Sequence, residues 1–164
     1  MIDPVGAKPH KLDMAGRIKL RDEERAGLGD KMIMSCGFDN CIAIYTPDAW
    51  QRFVGDFQRL AQQDPNAHDL KRLLVAPGET CEVDGQGRVR LPEFLMRWAD
   101  LGGGKLDAFI MPVGEGRWEC WESSKWQEFV DLRSRQLKEL AVTYFGKGSP
   151  AEEEAKQKAQ EAAA

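Results

Sequence analysis

Nine residues near the start of the chain, Leu12-Asp13-Met14-Ala15-Gly16-Arg17-Ile18-Lys19-Leu20, return in altered form as Val83-Asp84-Gly85-Gln86-Gly87-Arg88-Val89-Arg90-Leu91. Both strings read apolar, Asp, two variable residues, Gly, Arg, then aliphatic, basic, aliphatic. Asp and Arg four positions apart, with Gly just before the Arg, predict a tight turn that opens into a strand. The Gly reaches backbone angles that a Cβ forbids, and the Asp carboxylate is placed to accept from turn amides or from the Arg itself. Past the turn the side chains alternate. Arg17 and Lys19 fall on one face with Ile18 and Leu20 on the other, and Arg88 and Arg90 oppose Val89 and Leu91 in the same way.

More than the turn is repeated. Trp50-Gln51-Arg52-Phe53-Val54 is echoed by Trp126-Gln127-Glu128-Phe129-Val130. The turn aspartates lie 71 positions apart (84 − 13) and the tryptophans 76 (126 − 50). The five extra residues are expected near Gly102-Gly103-Gly104, since a surface loop tolerates an insertion best. Each copy then predicts a turn, a strand, a short helix, a hairpin and a longer helix. In the first copy the short helix covers Arg21 to Gly29. The hairpin joins Lys31 to Cys36 with Cys41 to Tyr45, and Thr46-Pro47 caps a helix with Trp50, Phe53, Val54, Phe57 and Leu60 on one face. Ala67 to Ala76 adds a helix that Pro77-Gly78 ends. In the second copy Pro92 to Leu101 is the short helix, and Asp107 to Met111 with Arg117 to Trp121 is the hairpin. A helix capped by Ser123 follows and runs to Gly146. Met1 to Lys11, with two prolines and a glycine, reads as an irregular arm able to reach an edge.

Chemistry that this chain does not advertise narrows the function. His10 and His68 fall in an arm and a linker, so no Ser-His or Cys-His constellation forms and no enzyme is expected. Cys36, Cys41, Cys81 and Cys120 lack Cys-x-x-Cys spacing and read as buried thiols, so no metal and no cofactor are expected. Gly102-Gly103-Gly104 lacks the Lys and hydroxyl of a phosphate loop. No apolar run reaches the roughly 20 residues of a membrane span, and Met1 to Pro9 has no signal-like core. A cytoplasmic protein without a membrane partner is the expectation. The net charge of −4 conceals a local excess: Lys8, Lys11, Arg17, Lys19 and Arg21 face one acid, Asp13, while the segment from Ala151 carries four Glu against two Lys. Trp50 and Trp126 read as core residues, and Trp118, beside Arg117, as one that can face outward. What remains is recognition of phosphates or a groove by Arg17, Lys19, Arg88 and Arg90. The planar Arg fork suits either a phosphate or a guanine edge.

At these residues the chain resembles the MraZ family of bacterial transcriptional regulators, which carry two SpoVT-AbrB half-domains. The resemblance rests on the doubled Asp-x-x-x-Arg turn, on Leu91-Pro92 after the second strand, and on the segments Ile44-Tyr45 to Trp50 and Cys120-Trp121 to Trp126. It covers about Lys11 to Phe129. The family's turn Lys is Ala15 in one copy and Gln86 in the other, and the proline after the first strand is Arg21. The resemblance implies an α+β fold of two tandem AbrB-like swapped-hairpin β-barrel half-domains with packing helices and a pseudo-two-fold. The expected divisions are a first AbrB-like domain at 8–52, a helical linker at 53–80 and a second AbrB-like domain at 81–124. A C-terminal helix at 125–146 and a disordered tail at 147–164 follow.

The implied function is a sequence-specific, nucleoid-associated regulator that binds repeats in the promoter of division and cell-wall genes as a homo-oligomeric ring. Arg17, Lys19, Arg21, Arg88 and Arg90 would contact double-stranded DNA, with Asp13, Gly16, Asp84 and Gly87 shaping the turns. The alternative is an AbrB-fold oligomeric module whose partner is a protein docked on the Phe57 to Leu60 helix or on the acidic tail. An antitoxin would share the fold type, but such proteins commonly hold one half-domain per chain.

Overall fold

The computed structural model describes residues 6–146 and 157–163. In chain order they form β1 (Lys8–Lys11), β2 (Arg17–Lys19), α1 (Asp22–Leu28), β3 (Lys31–Cys36), β4 (Ile42–Tyr45), α2 (Pro47–Gln63) and α3 (Ala67–Leu74). The second half has β5 (Glu79–Glu82), β6 (Arg88–Arg90), α4 (Glu93–Trp98), β7 (Asp107–Gly114), β8 (Arg117–Glu122) and α5 (Ser123–Phe145). One unit runs to Ser123 and holds every strand, and a second begins at Ser124 and holds the rest of α5. The class is α+β with antiparallel sheets. Of the tail, 147–156 and 164 lie outside the described residues, and 157–162 are helical.

Six strands form one sheet in the order β1-β7-β8-β4-β3-β5, and β2 pairs with β6 in a separate two-stranded ribbon. The repeats exchange their leading strands. β1 of the first pairs with β7 of the second, Lys8 opposite Ile110, while β5 of the second pairs with β3 of the first, Glu79 opposite Met34. The two registers are the same once the offsets of 71 for the leading strands (79 − 8) and 76 for the hairpins (110 − 34) are applied. The ribbon is centred on Ile18 opposite Val89, and the β4–β8 pair on Ala43 opposite Glu119. The five-residue difference therefore lies between α4 and β7, in the glycine loop where Gly102 and Lys105 form an isolated bridge.

Alternation decides which side chains enter the core. Ile42 and Ile44 face inward with Met32 and Met34, while Ala43 and Tyr45 face the opposite side and meet Ala49, Trp50 and Phe53 of α2. The ribbon contributes Ile18, Leu20, Val89 and Leu91 to the same inner cluster, together with Leu28 of α1 and Leu95 of α4. Burying each such side chain contributes about 1.5–3 kcal/mol, so the apolar backs of the turn-strand units fasten them to the sheet. All four cysteines are buried and free. Burial pushes the thiols of Cys41, Cys81 and Cys120 up to about 12.

Several expectations are corrected. The arm before Leu12 contains a strand: Lys-Pro-His-Lys has no apolar alternation to betray it, and Pro9 is tolerated because β1 is an edge strand. β5 was hidden in the same way by Glu-Thr-Cys-Glu. The helix expected over Pro92 to Leu101 is confined to Glu93–Trp98, with extended Pro92 before it and Asp100 at φ 58° after it. Trp118 does not face outward. It is 4% exposed and so close to Gly27 that a Cβ there would meet its ring at 2.7 Å.

His10, expected to lie in an irregular arm, sits on β1 with its side chain turned inward and its Nε2 2.8 Å from Glu24 Oε2. Their side chains are 3% and 2% exposed. The same Glu24 oxygen accepts the Arg21 backbone N–H at 2.8 Å and so caps α1.

Candidate nucleic-acid interface

Each turn is built by its own aspartate. Asp13 Oδ1 accepts the N–H groups of Ala15 and Arg17, both at 2.9 Å, and Oδ2 accepts Arg17 Nε at 2.8 Å. Asp84 Oδ1 accepts from Gln86 at 2.8 Å and Arg88 at 3.0 Å, and Oδ2 from Arg88 Nε at 3.2 Å. Gly16 and Gly87 close the turns by donating to the Asp13 and Asp84 carbonyls, each at 3.0 Å. Both glycines are left-handed, at φ 74° and 77°.

A Cβ at Gly16 would also lie 2.9 Å from Met96 Cε, whereas at Gly87 the nearest atom is Arg25 Nη1 at 3.8 Å. Gly87→Ala is therefore expected to cost about 1–2 kcal/mol for its backbone alone. Gly16→Ala should cost measurably more in urea melts, because the methionine must move as well.

Holding Nε on the carboxylate fixes the guanidinium, and the terminal nitrogens of Arg17 and Arg88 have no hydrogen-bond partner among the described residues. This is the end that forks onto a phosphate or a guanine edge. The Asp13 carboxyl is held below its ordinary 3.8 by the Arg17 backbone N–H first; desolvation opposes it next, and the Arg17 guanidinium and the Ala15 amide add smaller lowering effects. Asp84 is lowered first by the Arg88 backbone N–H, then by the Gln86 amide and the Arg88 guanidinium, again against desolvation. The sign follows. A depressed carboxyl supports its turn at neutral pH and loses that support as the pH falls through the depressed value. Carboxyl titration by NMR should place both midpoints below 3.8, and Arg17→Gln should raise that of Asp13.

The ribbon brings four of the expected residues together. Arg17 lies directly opposite Arg90, and Lys19 directly opposite Arg88, so four cations share the face away from the core. Like charges placed opposite one another weaken a strand pair. Only two of the four have carboxylate relief: Arg17 and Arg88 are paired to Asp13 and Asp84, while neither Lys19 nor Arg90 has an ion-pair partner among the described residues. Arg21, also expected at the surface, lies off the ribbon at the start of α1, where its Nη2 donates to the Pro9 carbonyl at 3.0 Å.

The two turns are not equivalent. Arg88 Nη1 also lies 3.8 Å from Asp13 Oδ2, so Arg88 leans toward both carboxylates and is 28% exposed against 37% for Arg17. Beside turn 84–87 stands Arg25, its Nε donating to Asp30 Oδ1 at 2.6 Å. The sequence marks Arg25 only as part of a helix. At the matching place beside turn 13–16 stands Met96, 71 positions later (96 − 25), and a cavity of about 410 Å3 opens there between Leu12, Met14, Met96 and Leu106. The offset alone could have flagged Arg25.

Among the described residues no helix is long and apolar enough to cross a membrane. Residues 5–73 match the family model described as "MraZ protein, putative antitoxin-like". The chain is 32% identical over 136 residues to the Transcriptional regulator MraZ of Acetivibrio thermocellus, covering 83% of this chain and 92% of that one. It is 31% identical over 137 residues to the protein of the same name from Alkaliphilus oremlandii, covering 84% and 93%. A third, from Natranaerobius thermophilus, is 30% identical over 137 residues, with 84% and 93% covered. With two turn-strand units on one antiparallel core, and relatives matched over nearly their whole length, the chain belongs to the MraZ family.

Proposed function

We propose that this protein is a sequence-specific transcriptional regulator that binds double-stranded promoter DNA through the cation-bearing face of its ribbon. Arg17 and Arg88 are the principal contacts, Lys19 and Arg90 supply charge, and Arg21 flanks them. The observation that supports this most is the pair of like-charge oppositions, Arg17 with Arg90 and Lys19 with Arg88. At the spacing of a strand pair each repulsion costs up to about 1 kcal/mol, and a polyanion laid across the face reverses its sign. Relatives named as transcriptional regulators agree with this reading. The exchange of leading strands between the halves supports an AbrB-like swapped-hairpin barrel as its scaffold. One ribbon offers few charges, so several protomers in a homo-oligomeric ring on repeated sites would add weak contacts. The promoter of division and cell-wall genes is the proposed target, with the protein on the nucleoid.

Salt tests it. If four cations each displace a counterion, log affinity per protomer should fall against log salt with a slope of about −3.6. Binding to the chain's own upstream DNA would then drop about 150-fold from 50 to 200 mM salt. A flat response would favour the second reading, a protein-interaction module. That reading draws on Leu60, Leu70 and Leu73, which leave apolar side chains exposed along α2 and α3.

A further inference from the structure

We infer that the two turns read different base edges: Gln86 an adenine, and Met14 with Ala15 the methyl group of a thymine. The inference rests on the duplex-DNA reading above and adds which side chains discriminate. The two turns share one backbone design, with Gly16 donating to Asp13 and Gly87 to Asp84 at the same 3.0 Å. The residues at the tips therefore occupy matching positions, Met14-Ala15 on one and Gly85-Gln86 on the other, and all four are exposed. The backbone N–H groups of Ala15 and Gln86 are already taken by the aspartates. Only side chains can make the tips differ.

They differ in the way that base edges differ. The Gln86 carboxamide has no partner among the described residues, and Gly85 beside it presents no side chain to hold a groove at a distance. A carboxamide can accept from adenine N6–H through Oε1 while donating to N7 through Nε2, a pairing no other base edge in the major groove offers. The Arg25–Asp30 ion pair beside Gly87 keeps this side polar. At the other tip Met14 is 92% exposed and continues the apolar wall of Leu12, Met96 and Leu106. Although Asp13, Arg90 and Glu93 line the same cavity, the Met14 and Ala15 side chains bring no N–H or O–H donor and no oxygen acceptor, and their match in the major groove is the thymine C5-methyl. Arg17 and Arg88 are diagonal neighbours across the ribbon, about 7–8 Å apart, or roughly two base-pair steps at 3.4 Å each. The tips extend beyond them at opposite ends, so each meets a different base pair.

The test is selection from a randomised duplex pool by the full chain, with wild type, Gln86→Ala, Met14→Ala and the Arg17→Ala/Arg88→Ala double variant run side by side. Wild type should enrich a motif with one adenine-specific and one thymine-specific position. Gln86→Ala should lose about tenfold discrimination at the first, and Met14→Ala about fourfold at the second, the value of one buried methyl-sized group. On the selected duplex, 7-deazaadenine at the first position should weaken wild type and leave Gln86→Ala unchanged. Deoxyuridine at the second should weaken wild type and leave Met14→Ala unchanged. If both single variants return the wild-type motif while the double arginine variant loses binding, the tip assignment is wrong and the DNA surface stands. If the double variant enriches the same motif as strongly as wild type, the ribbon surface is wrong and the tip assignment falls with it.

Discussion

Replacing Arg17 and Arg88 together by alanine is expected to weaken binding to upstream duplex DNA by at least about 100-fold at 100 mM salt. Each arginine presents a charge-assisted fork worth about 1–3 kcal/mol to a phosphate or a guanine edge, and an oligomer multiplies a loss that every protomer shares. Folding should be almost untouched. Both side chains are substantially exposed, exposed ion pairs contribute about 0–1 kcal/mol, and the aspartates keep their turn amides. A melting temperature within a few degrees of wild type is the control. Binding within threefold of wild type would remove the ribbon face from the proposed function. Between the single variants, Arg17→Ala should be the more damaging, because Arg88 is held closer to the protein by Asp13 as well as by Asp84.

Glu24→Leu is expected to cost about 3 kcal/mol or more, a large share of the stability of a domain this size. His10 Nδ1 lies 2.8 Å from the Lys8 carbonyl, which can only accept, so that nitrogen carries a proton. Nε2 lies 2.8 Å from the buried Glu24 oxygen, its side-chain partner there. Removing the acid strands a buried imidazole and also uncaps the Arg21 N–H. The second repeat shows how the same three positions are filled without polarity. At the offset of 71, His10 corresponds to Cys81, Glu24 to Leu95 and Arg21 to Pro92, which has no N–H to satisfy. The triple replacement His10→Cys, Glu24→Leu and Arg21→Pro should therefore recover most of what Glu24→Leu loses. Urea denaturation of the two variants decides it. A triple variant no more stable than the single one would show that the halves are not interchangeable at this site.

Much of this is legible in the sequence alone. The period-2 alternation after each turn, the Thr46-Pro47 cap and the apolar spacing of α2 placed their elements, because each is a local preference that the core then uses. The turn aspartates were recognisable as acceptors from their distance to Gly and Arg. β1 and β5 were not legible. An edge strand of charged residues and a proline owes its existence to the partner it pairs with, and β7 and β3 lie far away in sequence. The side of β8 that Trp118 takes is undecided by the sequence for a related reason, since it depends on where α1 packs.

The sequence by itself determined that two corresponding turn-strand units exist, that each carries cations on one face and aliphatic residues on the other, and where the five-residue insertion separates them. These follow from spacing and alternation, which the backbone imposes residue by residue. Only the tertiary structure decided that the two units pair with each other, setting Arg17 against Arg90 and Lys19 against Arg88 on one ribbon. Register between strands 71 positions apart is fixed by the shared core beneath Ile18 and Val89. No local preference specifies it, and it is what joins two short basic stretches into one surface.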